Sequence, residues 1–183
     1  MQTLSVIKQR REVTQFQPTP VPRDHIRALI EAGYYSVTGN NLPSREFVVV
    51  EGAATREALS RATPYMPWAK DAPLNLVIAG NPQVSKYWLQ DATIAASNIW
   101  LVATELGLGA AWGAIHHAED PVECARREQA VRDAVGIPAE LRPVAVLGIG
   151  YAAAPPKEKE MYPLARVVHL HSWGRQVGNL TEV

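Results

Sequence analysis

Cysteine is almost missing from this chain: Cys124 is the single one in 183 residues, so no disulfide can form within it and a reducing compartment is expected. Net charge is missing too. Eighteen Lys and Arg balance eighteen Asp and Glu, which removes the long-range attraction that nucleic-acid and membrane-surface proteins depend on. Neither kind of partner is expected. No run reaches the roughly eighteen apolar residues of a membrane span, and the opening MQTLSVIKQRR has no apolar signal core. A cytoplasmic protein is therefore expected. Repeats and low-complexity tracts are absent as well, and the length suits one domain over residues 1–183 with its own core.

What is present centres on Leu89 to Ile115, LQDATIAASNIWLVATELGLGAAWGAI. Ile94, Ile99, Leu101, Val102 and Leu106, with alanines at 92, 95, 96 and 103, put apolar or small side chains nearly all round a helix axis. Such a helix is expected to be buried, with alanines that let another backbone or a second subunit approach. Gly107 is a natural stop and Gly109 allows a turn into a short strand, Ala110 to Ile115. Small residues there leave backbone N–H groups bare, a surface that a flat, acceptor-rich ring can press against. The spacing Gly107-x-Gly109-x-x-x-Gly113 is not a dinucleotide fingerprint, since it ends a helix and is off by one.

Along the chain, residues 3 to 10 suggest a short helix with Leu4 and Ile7 on its apolar side, delivering Arg10 and Arg11 to its end. Paired guanidinium groups suit an anion such as phosphate. Arg23 to Tyr35 has helical spacing. Residues 36 to 47 form a polar loop, where Ser36, Thr38 and Asn41 could reach a ligand or close turns on their own backbone. A strand at Phe47 to Val50, a helix at Thr55 to Arg61 and a strand at Leu74 to Ala79 follow, with Tyr65 and Trp68 in the loop between the last two as candidate cleft residues. Asp120 before Pro121 opens a helix that ends at Gly136. Cys124 lies on it and reads as an ordinary helix residue. Val144 to Gly150 is a strand buried on both faces, and Val167 to His171 is expected to be an edge strand. Strands separated by helices give a layered α+β or α/β fold.

Three blocks of this pattern resemble the FMN-dependent nitroreductase family. Arg10-Arg11-Glu-Val-Thr14-Gln-Phe16 with Pro20-Val21 is similar to the family's R-R-S-x-R-x-F and P-V. SVTGNNLPSREFVVV is similar to its A-P-S-x-x-N-x-Q-P-W-x-F-x-V loop and strand. The most specific block contains Asp91, Ala95, Asn98, Ala103, Glu105 to Gly109 and Trp112, matching D-x-x-x-A-x-x-N and A-x-E-L-G-L-G-x-x-W.

The resemblance implies a central, mainly antiparallel mixed sheet flanked by helices, in a homodimer with a domain-swapped C-terminal segment and FMN shared at the interface. It implies NADH or NADPH as reductant and a ping-pong hydride transfer through flavin N5 to a nitroaromatic, quinone or related small acceptor. Arg10, Arg11 and Thr14, with Lys157 or Lys159, would meet the phosphate. Ser36, Thr38, Asn41 and Trp112 would line the flavin, and the backbone of Gly113 and Ala114 would face N5. Tyr65, Trp68 and Arg45 would meet the substrate, and no catalytic acid or base is demanded. Departures are Glu12, expected to turn from the phosphate or pair with an arginine, Thr14 for a cation, and Pro43-Ser44-Arg45 for Q-P-W. A flavin carrier without turnover is the alternative, and flavin fragmentation and reductive dehalogenation also occur in the family. A metal protein is the rival from another class. It rests on His116-His117 and His169-x-His171, the latter pair expected on one face of a strand, with no cysteine or carboxylate seen at ligand spacing; no metal is expected.

Overall fold

Apolar runs without alternation cannot sit at a half-wet edge, so they belong in the middle of a sheet with both faces covered. Residues 2–183 are described in a computed structural model; Met1 lies outside the described residues. Four strands, β1 (Arg45–Val50), β2 (Leu74–Gly80), β3 (Gly109–Ala114) and β4 (Arg142–Gly150), form one sheet in the order β1-β2-β4-β3, with every pair antiparallel. Its register runs from Val48 through Val77 and Val146 to Gly113. The two central strands, β2 and β4, are the apolar runs, buried along almost their whole length. The parallel component of the expected mixed sheet shrinks to one isolated bridge, Glu12 to Ala110.

Five helices cover this sheet: α1 (Thr3–Gln9), α2 (Arg23–Tyr34), α3 (Ala53–Ser60), α4 (Trp88–Glu105) and α5 (Pro121–Val135). Alternate strand residues serve opposite faces. Leu76, Ile78, Leu147 and Ile149 pack with Leu29 of α2 and Ala92, Ala96 and Ile99 of α4. Val77, Ala111 and Val146 pack with Leu59 of α3, Val131 of α5, Met66 and Trp68. The architecture is α+β, helices on both sides of an antiparallel sheet. Among the described residues no helix is long and apolar enough to cross a membrane.

Three expectations change. Helix α4 is not buried all round: Ala92, Ala95, Ala96, Ile99 and Ala103 face the sheet, while Thr93, Ile94 and Ser97 lie exposed on the other side. In α1 the buried residue is Val6, and Leu4 and Ile7 point outward. Val167 to His171 is no strand. A 3-10 turn at Leu164–Arg166 leads into it, its sheet-like contact is a single bridge from His169 to Gln176, and His171 has φ +66°, which breaks the alternation. The stop at Gly107 behaves as expected. At φ +76°, it lets Gly107 N–H reach Thr104 O and Leu108 N–H reach Ala103 O, closing α4 before β3.

Candidate active site

The end of α1 fixes the first charged group. Arg11 donates from one guanidinium nitrogen to the carbonyls of Lys8, Gln9 and Arg10 at 2.7, 3.1 and 2.9 Å, capping the helix and holding the following strand-like segment. Arg10 lies 4.8 Å over the ring of Trp100, which itself stacks on Trp112 with centroids 6.4 Å apart. From the far end of the sequence, the loop after β4 brings Lys157 and Lys159 to the same place. Arg10, Arg11, Thr14, Lys157 and Lys159 together line a cleft of about 510 Å³. Among the described residues none of these four cations has an ion-pair partner. Two guanidiniums and two ammoniums outnumber the two carboxylates on the same cleft, Glu12 and Glu158, and with the Thr14 hydroxyl form a donor set that fits a phosphate monoester dianion. Glu12 meets no arginine; its Oε1 lies 3.5 Å from the Trp112 N–H, turned along β3.

Strand β3 adjoins this cleft. The Val13 N–H donates to Ala110 O, and Ile115 N–H donates to Val144 O on the opposite side. Backbone groups alternate along an antiparallel strand. Ala110, Trp112 and Ala114 therefore turn their N–H and C=O away from β4, toward the open edge. The carbonyl of Ala114 is taken by Arg127 at 3.1 Å, and Ala114 itself is exposed. Gly113 has a different reason to be bare from the one expected. A Cβ there would stand 2.0 Å from the Met66 sulfur, so the missing side chain makes room for the core and not for a ring.

The loop from 36 to 45 is held by α4. Asp91, 2% exposed, accepts from Gly39 N–H at 2.9 Å and from the Ser44 hydroxyl at 2.5 Å. Asn98, seven residues on and hence on the same helix face, donates to Ser36 Oγ at 2.8 Å. Ser36 in turn donates to Ala32 O. Its hydroxyl is buried scaffold, which corrects its expected place on the cofactor. Arg45 has a scaffold role too: it donates to the carbonyls of Gly33, Tyr34 and Ser36. Burial pulls its pKa down, against the field of Asp91. Thr38 and Asn41 sit in the exposed turn this network supports, with Asn40 and Asn41 both left-handed at φ 54° and 55°. They are not walls of the cationic cleft. Asp91, which holds the turn, and Trp100, which touches Arg10, are nine residues apart, about 13 Å along the helix. Asp91 and Asn98 had their signal in the sequence, a seven-residue spacing of polar groups on an otherwise apolar helix.

Of the candidate cleft residues, Tyr65 is 78% exposed, with the Arg127 guanidinium 6.0 Å from its ring. Trp68 is in the core, packed where Gly148 leaves room for its ring, so its expected contact with substrate is withdrawn.

A second polar cluster was not foreseen. Cys124 is buried within it, not an ordinary helix position. It stands four residues before Glu128 on α5, and both face His116, so a cysteine and a carboxylate do lie at ligand spacing. The position an ion would occupy is filled by Arg142. Its guanidinium donates to Glu128 at 2.7 Å and stands 3.5 Å from His116 Nδ1 and 3.6 Å from Cys124 Sγ. Arg132 takes the other Glu128 oxygen at 3.2 Å. Burial raises the Glu128 pKa, but the hydrogen bonds from Arg142 and Cys124 and the nearby guanidinium charges outweigh it and hold the group below the ordinary value. His169 meets Trp173 and the Gly174 N–H, away from this cluster.

The chain resembles known proteins in sequence and in fold. The sequence model described as the Nitroreductase family matches residues 7–64 and 57–151. A protein of Methanothermobacter thermautotrophicus named "Putative NADH dehydrogenase/NAD(P)H nitroreductase" is 31% identical over 176 residues, covering 94% of this chain and 88% of its own. A crystal structure of a protein so named from Bacteroides thetaiotaomicron superposes with a TM-score of 0.86 at 29% identity, covering 93% of this chain and 98% of that one. An FMN-dependent nitroreductase from Clostridium difficile gives 0.84 at 25% identity, covering 93% and 99%. The matched residues take in Arg10 to Gln15 of the cleft and the elements from α2 to β4, most of the chain, and on that ground the chain belongs to the nitroreductase family.

Proposed function

We propose that the chain is an FMN-dependent oxidoreductase that takes reducing equivalents from NADH or NADPH and delivers them to a small acceptor such as a nitroaromatic or a quinone. The observation that carries this reading is the convergence of Arg10, Arg11 and Thr14 with Lys157 and Lys159 on one cleft beside the open edge of β3. FMN, when bound, supplies the hydride chemistry, accepting from the nicotinamide and giving to the acceptor in two separate half-reactions. The protein's part is binding and orientation. The four cations neutralise a phosphate, and the Trp100 ring, 4.8 Å from the Arg10 guanidinium, helps to hold that side chain in place. The outward N–H of Ala114 offers a donor at the strand edge, and the exposed Tyr65 ring, which like Ala114 adjoins Arg127, is available to an acceptor. No acid or base side chain is needed.

The working unit in this reading is a cytoplasmic homodimer of one-domain chains. Two features support it. The Thr38–Asn41 turn is separated from the phosphate cleft within one chain, so a partner's turn can complete the site. The apolar Ile94 on the outer face of α4 and the exposed Met161, Tyr162 and Trp173 of the C-terminal segment also fit a swapped arm and a subunit contact.

Purified protein reconstituted with FMN should be yellow, elute as a dimer, and lose its flavin colour anaerobically when NADH or NADPH is added. Protein that takes up no FMN would end this reading. Yellow protein that neither nucleotide reduces would point to a flavin carrier.

A further inference from the structure

The first turn of α5 holds a charge arrangement that the phosphate cleft does not use. Asp120 caps the helix by accepting from Val122 N–H and Glu123 N–H at 2.9 and 3.0 Å, which sets Glu123 facing two arginines. Arg126 donates to it at 2.7 and 2.8 Å, and Arg127 at 2.7 Å. The hydrogen bonds from Arg126 and then Arg127 lower the Glu123 pKa to about 2, so it is ionised at neutral pH. One carboxylate therefore serves two guanidiniums, and Asp120 adds a second carboxylate to the same turn. Each arginine also grips a backbone carbonyl: Arg126 takes Ala62 O at 3.2 Å, and Arg127 takes Ala114 O at 3.1 Å. Arg127 is only 6% exposed, unusual for a cation and costly unless its bonds matter.

We propose that Arg127 is a positioning residue for the cofactor: by pinning the Ala114 carbonyl it fixes the outward Ala114 N–H and places a guanidinium behind it, favouring the reduced flavin. This rests on the reading of the β3 edge as the flavin support. Ala114 is the last residue of β3, where strands fray, and its carbonyl has no partner in β4 by the alternation of the ladder. Arg127 replaces that partner from another element. Reduction adds negative charge to the ring, and a fixed cation on the same strand edge stabilises that form more than the oxidised one. The Glu123 carboxylate acts in the opposite sense, partly cancelling Arg127.

The test is the two-electron midpoint potential of the FMN-loaded protein, measured with the affinity for oxidised FMN in wild type, Arg127→Met and Glu123→Gln. Arg127→Met should weaken reduced FMN relative to oxidised FMN about tenfold, a fall of about 30 mV. Glu123→Gln, which removes the opposing charge at a more exposed position, should shift the potential upward. Oxidised FMN should bind all three proteins within about threefold, because the phosphate cations are untouched. A merely structural role would not give shifts of opposite sign. Potentials that stay at the wild-type value in both variants, or that move in the same direction, overturn the proposal. If Arg127→Met does not fold, the rise or its absence in Glu123→Gln decides. Failure of the wild type to bind FMN would instead remove the underlying reading of the site.

Discussion

Two of the arginine-rich regions of this protein are built on opposite rules. Around Glu128 the arginines are paired: two guanidiniums, a thiol and an imidazole close on one carboxylate that is 4% exposed. Around Arg10 four cations gather with two carboxylates, Glu12 and Glu158, yet none of the four forms an ion pair among the described residues. Like charges repel, so the second arrangement costs stability in the free protein and is repaid only when an anion enters. The closed cluster holds α5 to β4. The open one fits a ligand, and composition alone could not separate them, since both look like scattered arginines in a neutral chain.

Substitutions should break this contrast cleanly. Glu128→Gln leaves Arg132 and Arg142 facing a neutral group and should lower folding stability by about 3 kcal/mol, the low end for a broken buried pair because Arg142 stays partly in water. Urea denaturation measures it, and FMN affinity should be unchanged. Arg10→Ala should do the reverse, weakening FMN by about 1.5–3 kcal/mol, the scale of a charge-assisted hydrogen bond, with little change in the apoprotein's melting temperature. Isothermal titration and calorimetry separate the two effects.

Gly113→Ala sharpens the comparison from the core side. Its Cβ meets the Met66 sulfur, so a loss of about 1–2 kcal/mol from overpacking is expected. Combined with Met66→Ala, the total loss should fall short of the sum of the two. Thermal melts of the three variants test this, and additive losses would show that Met66 is not the obstacle.

Acid is the mildest probe. Glu123 is lowered from 4.5 to about 2 by the hydrogen bonds of Arg126 and Arg127, and Glu128 is lowered too. A carboxylate with a depressed folded pKa contributes stability that is whole above its unfolded pKa and is lost as pH falls toward the folded one. Melting temperature should therefore decline as pH drops from about 4.5 toward 2, and Glu123→Gln should flatten that decline.

Much of this was legible in the sequence. The stop at Gly107, the two buried strands and the helix from Arg23 follow from spacing and turn chemistry, and the cations of the cleft were identifiable by residue type. Other features depend on neighbours distant in sequence. Arg45 reads as a free cation until three carbonyls of residues 33 to 36 close on it. Trp68 reads as a cleft residue until the bare backbone of Gly148 receives its ring. The Val167 to His171 segment has strand composition but no strand to pair with in this chain. Cys124 and Glu128 were missed for a different reason. Their four-residue spacing was visible, but their meeting with His116 and Arg142 depends on how α5 lies against β4.

The central claim is that the unpaired cations await a phosphate, and comparing FMN with riboflavin isolates that one group. Titrated into the apoprotein with fluorescence quenching as readout, FMN should bind at least about 100-fold more tightly than riboflavin, the equivalent of two charge-assisted hydrogen bonds, and Arg10→Ala should remove most of the preference. Equal affinity for the two flavins would contradict the account.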